Sequence, residues 1–303
     1  MSGGHAGALV LAGEAAVHHV YTARVRVCHH ELDAFGRVYP AVYLRHLTTV
    51  AVDASTAAGF DARWYATNGV HWLVRRTTFD LHAPATAGTE LDIQTWVEDF
   101  RRVRSQRRYA MRAADGAPIL DAVTDWVLVE TATGKLRRIP EEVERRFGIA
   151  PKGGAGGRKP WSAPAAPPGP LRTPYAVRYT DLDALMHVNN AAYLDVLLDA
   201  GLDVLARVGW TFDRLLSAGA APLCVRGDIE YLDMARFGDP LEVETWFTPS
   251  AQELGVHQRL VRTDDGRALV QSTSTWRWLD PATRAAVVTP AGLADAIGDV
   301  AAA

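Results

Sequence analysis

The chain is written almost twice. Placing Val27 to Pro140 above Val177 to Pro290 without a gap makes 26 of the 114 aligned positions identical, at a constant offset of 150 residues. Leu32-Asp33-Ala34 falls over Leu182-Asp183-Ala184, Tyr43-Leu44 over Tyr193-Leu194, and Thr95-Trp96 over Thr245-Trp246. Asp115-Gly116 falls over Asp265-Gly266 and Trp126 over Trp276. Chance matches would not hold one register, so one fold is built twice in one chain. The copies can then be compared: residues kept by both serve the fold, and polar positions that differ are where function has room to diverge.

A length of 303 residues accommodates two units of this repeat, each large enough for its own core. The expected layout is a loose Ala/Gly-rich tail (1–19), a first domain (20–149), a Pro/Gly/Ala-rich linker (150–173) and a second domain (174–298). A net charge of −3 argues against nucleic acid as a partner. No apolar run is long enough for a membrane helix, and the N-terminus lacks the basic start of a secretory signal. Cys28 and Cys224 occupy non-equivalent repeat positions, so neither a disulfide framework nor a metal cluster is expected, and the expected compartment is the cytoplasm.

In the second copy, Pro174 to Thr180 reads as a short strand and Asp181 to Asn189 as a polar turn. Ala191, Leu194, Leu197, Leu198, Leu202 and Leu205 then recur at helical spacing over Asn190 to Val208, and Gly209 stops the helix. Four strands follow, near 222–232, 240–248, 254–263 and 268–279, with a hairpin turn at Asp264-Asp265-Gly266. The first copy repeats this order: a strand near 20–28, a helix from Pro40 to about Ala58, and four strands ending near Val129. One long helix followed by an antiparallel sheet is an α+β arrangement in which the sheet wraps the helix. Two such copies are expected to pair as an internal pseudo-dimer, with further homo-oligomers open.

The densest polar cluster runs from Tyr179 to Leu194, YTDLDALMHVNNAAYL, between strand and helix start. Asp-x-Asp, then His-Val-Asn-Asn, then Tyr-Leu at this spacing resembles the hotdog-fold thioesterases, in particular the 4-hydroxybenzoyl-CoA thioesterase-like group and the acyl-ACP thioesterases. The resemblance spans nearly all of both repeats. It implies tandem hotdog domains, hydrolysis of an acyl-CoA or acyl-carrier-protein thioester, and no cofactor or metal. By the same resemblance Asp183 is the catalytic carboxylate, the backbone N–H of Asn190 polarises the carbonyl, and His187 is the motif histidine. Asn189 and Tyr193 would line the substrate. The residues fit this chemistry on their own terms: a carboxylate can activate water or attack the acyl carbon, and a helix start offers unpaired N–H donors. Asp and Asn in front of a helix also serve as caps, and that reading stays open for Asp181 and Asn189. Asp199, further along the helix, reads as a solvated face. Three positions depart from the plant acyl-ACP pattern: Leu185 stands where that subgroup has Asn, and its later Glu/Cys pair falls on Met234 and Ala235.

The first copy keeps acids at Glu31 and Asp33 but has Arg37 for His187 and Pro40 for Asn190. Proline suits a first helical turn yet has no N–H to offer. The first copy is therefore expected to be the weaker or silent site, with Asp33, Glu31 and Arg37 as its candidate residues. It also carries five Arg between Arg101 and Arg108, where the second copy has none. Arg101 and Arg104 would dock phosphates or an acidic carrier, or else belong to a solvated hairpin. Two alternatives to hydrolysis remain. A hotdog hydratase or dehydratase would need a Gly-Asp-x-Asn-Pro-x-His motif, which is absent. A non-catalytic acyl-thioester-binding protein would have decayed sites in both copies.

Overall fold

A computed structural model describes residues 8–9, 19–148 and 160–301. The tail, apart from a two-residue strand β1 (Ala8–Leu9), and most of the linker lie outside the described residues. The chain separates into two compact units, Met1–Pro160 and Trp161–Ala303, dividing within the Pro/Gly-rich stretch.

In the first unit, β2 (Tyr21–Arg26) leads through a 3₁₀ turn (His29–Glu31) to the long helix α1 (Pro40–Ala57). A short helix α2 (Ala62–Asn68) follows, and then β3 (Val70–Leu81), β4 (Glu90–Arg101), β5 (Arg104–Ala113), β6 (Pro118–Glu130) and α3 (Glu141–Phe147). The strands form an antiparallel sheet in the order β1-β2-β4-β5-β6-β3. Helix α1 starts where Pro40 pre-sets the backbone and ends before Gly59, whose φ of +94° a side chain would strain. Leu44, Leu47, Val50, Ala51 and Ala54 form its buried stripe. On β4, Leu91, Ile93, Thr95 and Val97 alternate inward against it. Each large apolar side chain so buried stabilises the fold by about 1.5–3 kcal/mol before the entropy of ordering is charged.

The second unit repeats the plan. It contains β7 (Leu171–Tyr175), a 3₁₀ turn (Tyr179–Asp181), α4 (Asn190–Arg207), α5 (Phe212–Ser217) and β8 (Ala221–Tyr231). Then come β9 (Leu241–Pro249), β10 (Glu253–Arg262), β11 (Arg267–Leu279), β12 (Ala286–Val287) and α6 (Leu293–Ala301). The antiparallel order is β8-β11-β10-β9-β7, with β12 on β11. Gly201 lets α4 lie against the sheet: a Cβ there would come within 2.8 Å of the Trp276 ring.

Three expectations change. The first strand of the second unit begins at Leu171 and ends at Tyr175, so it takes the end of the expected linker, and the 3₁₀ turn takes Tyr179 and Thr180. The short helices α2 and α5, too brief to show periodicity, are each started by a cap: Asp61 accepts the Trp64 N–H and Thr211 the Arg214 N–H. The gapless repeat register also fails inside one hairpin. Thr95 pairs with Tyr109, but its counterpart Thr245 pairs with Gln258, one residue short of the repeat offset. A bulge at Glu98, between the Val97 and Asp99 pairs, accounts for the slip, and the turn after β10 recovers it. A one-residue slip changes which face a side chain meets, so Arg107 lies where the second unit has Val256.

Candidate active site

In the second unit the polar turn is a small closed structure between the 3₁₀ turn and α4. Leu182 and Val188 bridge across it, and the Asp183 N–H donates to the His187 carbonyl at 2.9 Å. The Met186 N–H returns to the Asp183 carbonyl at 3.0 Å, and the Leu185 N–H donates to Asp183 Oδ1 at 2.8 Å. This tight loop drives Met186 to a φ of +60°, the left-handed region that an ordinary side chain resists. At the same place in the first unit stands Gly36, with φ +71°.

Asp181 and Asn189 hold the frame. Asp181 Oδ2 accepts the Tyr175 hydroxyl at 2.7 Å and the Arg178 N–H at 2.8 Å. Burial, and then the Asp181 carboxylate, push the Tyr175 phenol far above its usual range. Asn189 caps α4, its Oδ1 accepting the Ala191 N–H at 2.9 Å, while its own N–H donates to the Asp181 carbonyl at 2.8 Å. Glu31 does for the first unit what Asp181 does here, with Oε2 accepting the Cys28 N–H at 2.7 Å and Oε1 lying 3.3 Å from His46 Nε2. Tyr193 faces inward. It is 3% exposed and its hydroxyl accepts the Ala235 N–H at 2.9 Å, as the Tyr43 hydroxyl accepts the Ala85 N–H at 2.8 Å. Burial pushes both phenols up to about 12. Each tyrosine pins the loop that also takes the N–H of Val188 or Val38. This post explains why the repeat keeps Tyr-Leu.

Asp183, His187 and Asn190 come together around the mouth of this turn. The Asp183 carboxylate has no cation against it among the described residues. His187 Nδ1 is buried and finds no hydrogen-bond partner. Asn190 is the first residue of α4 and its N–H is one of the orphan donors of a helix start, with no partner among the described residues. Its carbonyl accepts the Tyr231 hydroxyl at 3.0 Å. On this turn and the 3₁₀ turn before it, Tyr179 (82%), Leu185 (40%) and Met186 (69%) are exposed. Asp199, expected on a solvated face, is exposed on α4, and partial desolvation raises its carboxyl above the usual range.

The first unit closes the same turn around a different charge arrangement. Asp33 Oδ1 accepts the N–H groups of Phe35 and Arg37, each at 2.9 Å. Asp33 Oδ2 takes Arg37 Nε at 2.8 Å and Nη2 at 2.7 Å, a two-point ion pair. The Arg37 side chain is 3% exposed and its guanidinium lies 4.7 Å from the centre of the Phe35 ring. Pro40 begins α1 and offers no N–H.

The Arg-rich hairpin does not gather into one cationic surface. Arg101 and Arg104 both lean on Asp99, at 2.7 and 3.8 Å, and Arg108 pairs with Glu98 at 2.6 Å. Arg102 sits in the turn with φ +27°, and Arg107 points into the core. Among the described residues no group of three or more His, Cys, Asp or Glu is placed to hold a metal.

What the sequence missed is the strain at Met186 and the apolar rim beside it. The signal for the first was present: Gly36 at the equivalent position of the first copy marks a left-handed turn.

Comparison with known proteins gives a consistent picture. Residues 18–147 match the family described as the acyl-ACP thioesterase N-terminal domain, and residues 177–297 match the thioesterase-like superfamily. A chloroplastic acyl-[acyl-carrier-protein] hydrolase of Cuphea viscosissima is 26% identical over 271 residues, covering 87% of this chain and 56% of that protein. The chain thus spans a little over half the length of that relative. The crystal structure of an acyl-ACP thioesterase from Bacteroides thetaiotaomicron superposes with a TM-score of 0.67 at 19% identity, over 85% of this chain and 98% of that one. The 12:0-ACP thioesterase of Umbellularia californica superposes with a TM-score of 0.68 at 17% identity, over 86% and 94%. At these identities the structural likeness establishes the tandem hotdog fold.

Proposed function

Because this chain belongs, in both halves, to the hotdog-fold thioesterase families, we propose that it hydrolyses acyl thioesters at the turn of the second unit, acyl-carrier-protein thioesters first among them. The observation that carries this reading is the pairing of an unclamped Asp183 carboxylate with the free N–H at the start of α4. A thioester carbonyl seated on that N–H would gain charge stabilisation as its oxygen becomes anionic, an effect worth about 3 kcal/mol for one well-placed donor. Asp183 would take a proton from the attacking water, or add to the acyl carbon to give an anhydride that water then hydrolyses. The carbon–sulfur bond then breaks, the thiol leaves with a proton and the carboxylic acid is released. His187, with an uncommitted buried Nδ1, would orient the water.

The departures from the plant pattern, Leu185, Met234 and Ala235, favour this short Asp-centred scheme over a longer relay. The relative from Cuphea is named for an acyl-carrier-protein substrate, which makes that thioester class the first to try. In the first unit, Arg37 occupies the charge of Asp33 and Pro40 removes the donor, so that turn serves structure.

The test is release of free thiol from matched acyl-carrier-protein and acyl-CoA thioesters by wild type, Asp183→Asn and Asp33→Asn. Asp183→Asn should lose about 10³-fold in kcat with its fold intact, whereas Asp33→Asn should stay within about twofold. Full activity of Asp183→Asn on every thioester the wild type accepts would refute the assignment.

A further inference from the structure

The interior of the first unit holds a cation that has no counter-ion among the described residues. Arg107 lies on β5, on the face turned towards the core, and is 6% exposed. Its one hydrogen bond is from Nη1 to Thr95 Oγ1, a long 3.3 Å, and its guanidinium lies 5.1 Å from the centre of the Phe147 ring. No carboxylate pairs with it among the described residues. Three other arginines of the same hairpin each have one, in Asp99 or Glu98. Burial pulls the Arg107 guanidinium below its usual range, but arginine keeps its proton in proteins, so the charge stays. Buried charges are otherwise paired.

The second unit shows what this place looks like when it is only core. Val256 stands where Arg107 does, fully buried, and Gln258 in the Tyr109 position is satisfied by the Leu197 carbonyl at 2.7 Å and Thr245 at 3.2 Å. In the first unit the buried Tyr109 hydroxyl lies by Trp126 and Thr124, and it is Arg107 whose charge stays unpaired among the described residues. A solved core beside an unsolved one, on the same backbone, marks the second as shaped for something else.

The geometry points to a binding site inside the first unit for a carboxylate carried on an apolar chain, with Arg107 as its anchor. A carboxylate matches one guanidinium in charge and in its two-point geometry. A phosphate dianion would leave a negative charge in an apolar surround. Phe60, Phe147 and Val97 supply that surround, and the half-buried Trp64 and Phe100 pack at its edge. The carboxylate is that of a free acid of the kind that thioester hydrolysis releases; this assignment of source rests on the function proposed above, while the site itself does not.

The experiment uses the full chain and two probes, dodecanoate and dodecan-1-ol, which share a chain and differ in the headgroup charge. Wild type should bind dodecanoate at least tenfold more tightly than the alcohol by calorimetry, and dodecanoate should raise its melting temperature. Arg107→Met should fold, since it removes an unpaired buried charge, and should lose the preference for the acid. Arg107→Lys should keep a weaker preference. In hydrolysis of a dodecanoyl thioester, dodecanoate should inhibit the wild type and Arg107→Met should escape that inhibition. Equal binding of acid and alcohol by wild type, or an unchanged acid preference in Arg107→Met, overturns the inference. Carboxylate binding without any thioester hydrolysis would leave this site standing and overturn the proposed function instead.

Discussion

Two turns of nearly the same backbone carry opposite electrostatics. In the first unit Asp33 is held by the buried guanidinium of Arg37 at 2.7 Å; in the second, among the described residues, Asp183 faces no cation and the neighbouring His187 leaves its Nδ1 unpaired. The scaffold around the two carboxylates is shared. Each accepts an N–H from two residues ahead, each turn is bridged across its base, and each is pinned by a buried tyrosine. The difference is therefore confined to charge and to one donor, with Pro40 removing the N–H that Asn190 keeps. A repeat can hold its fold while surrendering chemistry in one copy, because the contacts that build the turn are not the ones that would act on substrate.

The largest expected effect breaks the clamp. Arg37→Met leaves the Asp33 carboxylate, 14% exposed, without its partner. Removing one member of a buried pair strands the other, and the expected loss of stability is about 3 kcal/mol. Urea unfolding followed by tryptophan fluorescence reads it, and the reciprocal change Asp33→Asn should destabilise in the same direction. A loss below about 1 kcal/mol for Arg37→Met would mean that the ion pair is idle and that the two turns are more alike than their geometry implies.

Converting the second turn into the first is the next test. His187→Arg places a guanidinium at the position from which Arg37 grips Asp33. An opposite charge this close lowers the basicity of a carboxylate by about one to three pKa units. Thioester hydrolysis should then fall by about 10²-fold, equivalent to about 2.7 kcal/mol in the barrier, with the melting temperature held or raised. If His187→Arg hydrolyses as fast as wild type, the absence of a clamp is not what makes the second turn competent.

Much of this comparison was legible in the sequence because it rests on local rules. The helix from Asn190 followed from apolar spacing and the stop at Gly209, and the helix from Pro40 from the repeat of that order. The missing donor at Pro40 is a property of proline itself. The capping alternative kept open for Asn189 describes what its side chain does, whereas Asp181 ends the 3₁₀ turn and reaches back to the Arg178 N–H. The start of β7 was misplaced because Pro174 reads as a strand opener. It sits instead inside an edge strand, where the missing N–H costs no ladder bond, and the next residues are drawn into the 3₁₀ turn by Asp181. Arg107 could not be singled out among five arginines: which of them turns inward depends on the bulge at Glu98, a tertiary choice that an ungapped comparison hides. The Arg37–Asp33 pair was hidden for a related reason. A separation of four residues in a turn does not say whether two side chains meet.

The smallest effect concerns the backbone that the two turns share. Met186 adopts a φ of +60° where the first unit uses Gly36 at +71°, and Arg284 adopts +62° where the first unit uses Gly134 at +67°. Twice, then, the second unit places a side chain where the first has the residue suited to the conformation. A left-handed turn costs a non-glycine residue about 1 kcal/mol, partly offset because glycine loses more chain entropy on folding. Met186→Gly and Arg284→Gly should each stabilise the chain by about 0.5 kcal/mol. They should differ in activity. Arg284 follows the last long strand, and its relief should leave hydrolysis untouched. Met186 lies between Asp183 and His187, 69% exposed, so its side chain holds no core contact that would justify the strain. If that strain sets the angle at which Asp183 meets the mouth of α4, Met186→Gly gains stability and loses kcat by about three- to tenfold. Equal behaviour of the two variants, in stability and in kcat, would reduce the Met186 strain to an accident of sequence drift and leave charge alone to distinguish the two turns.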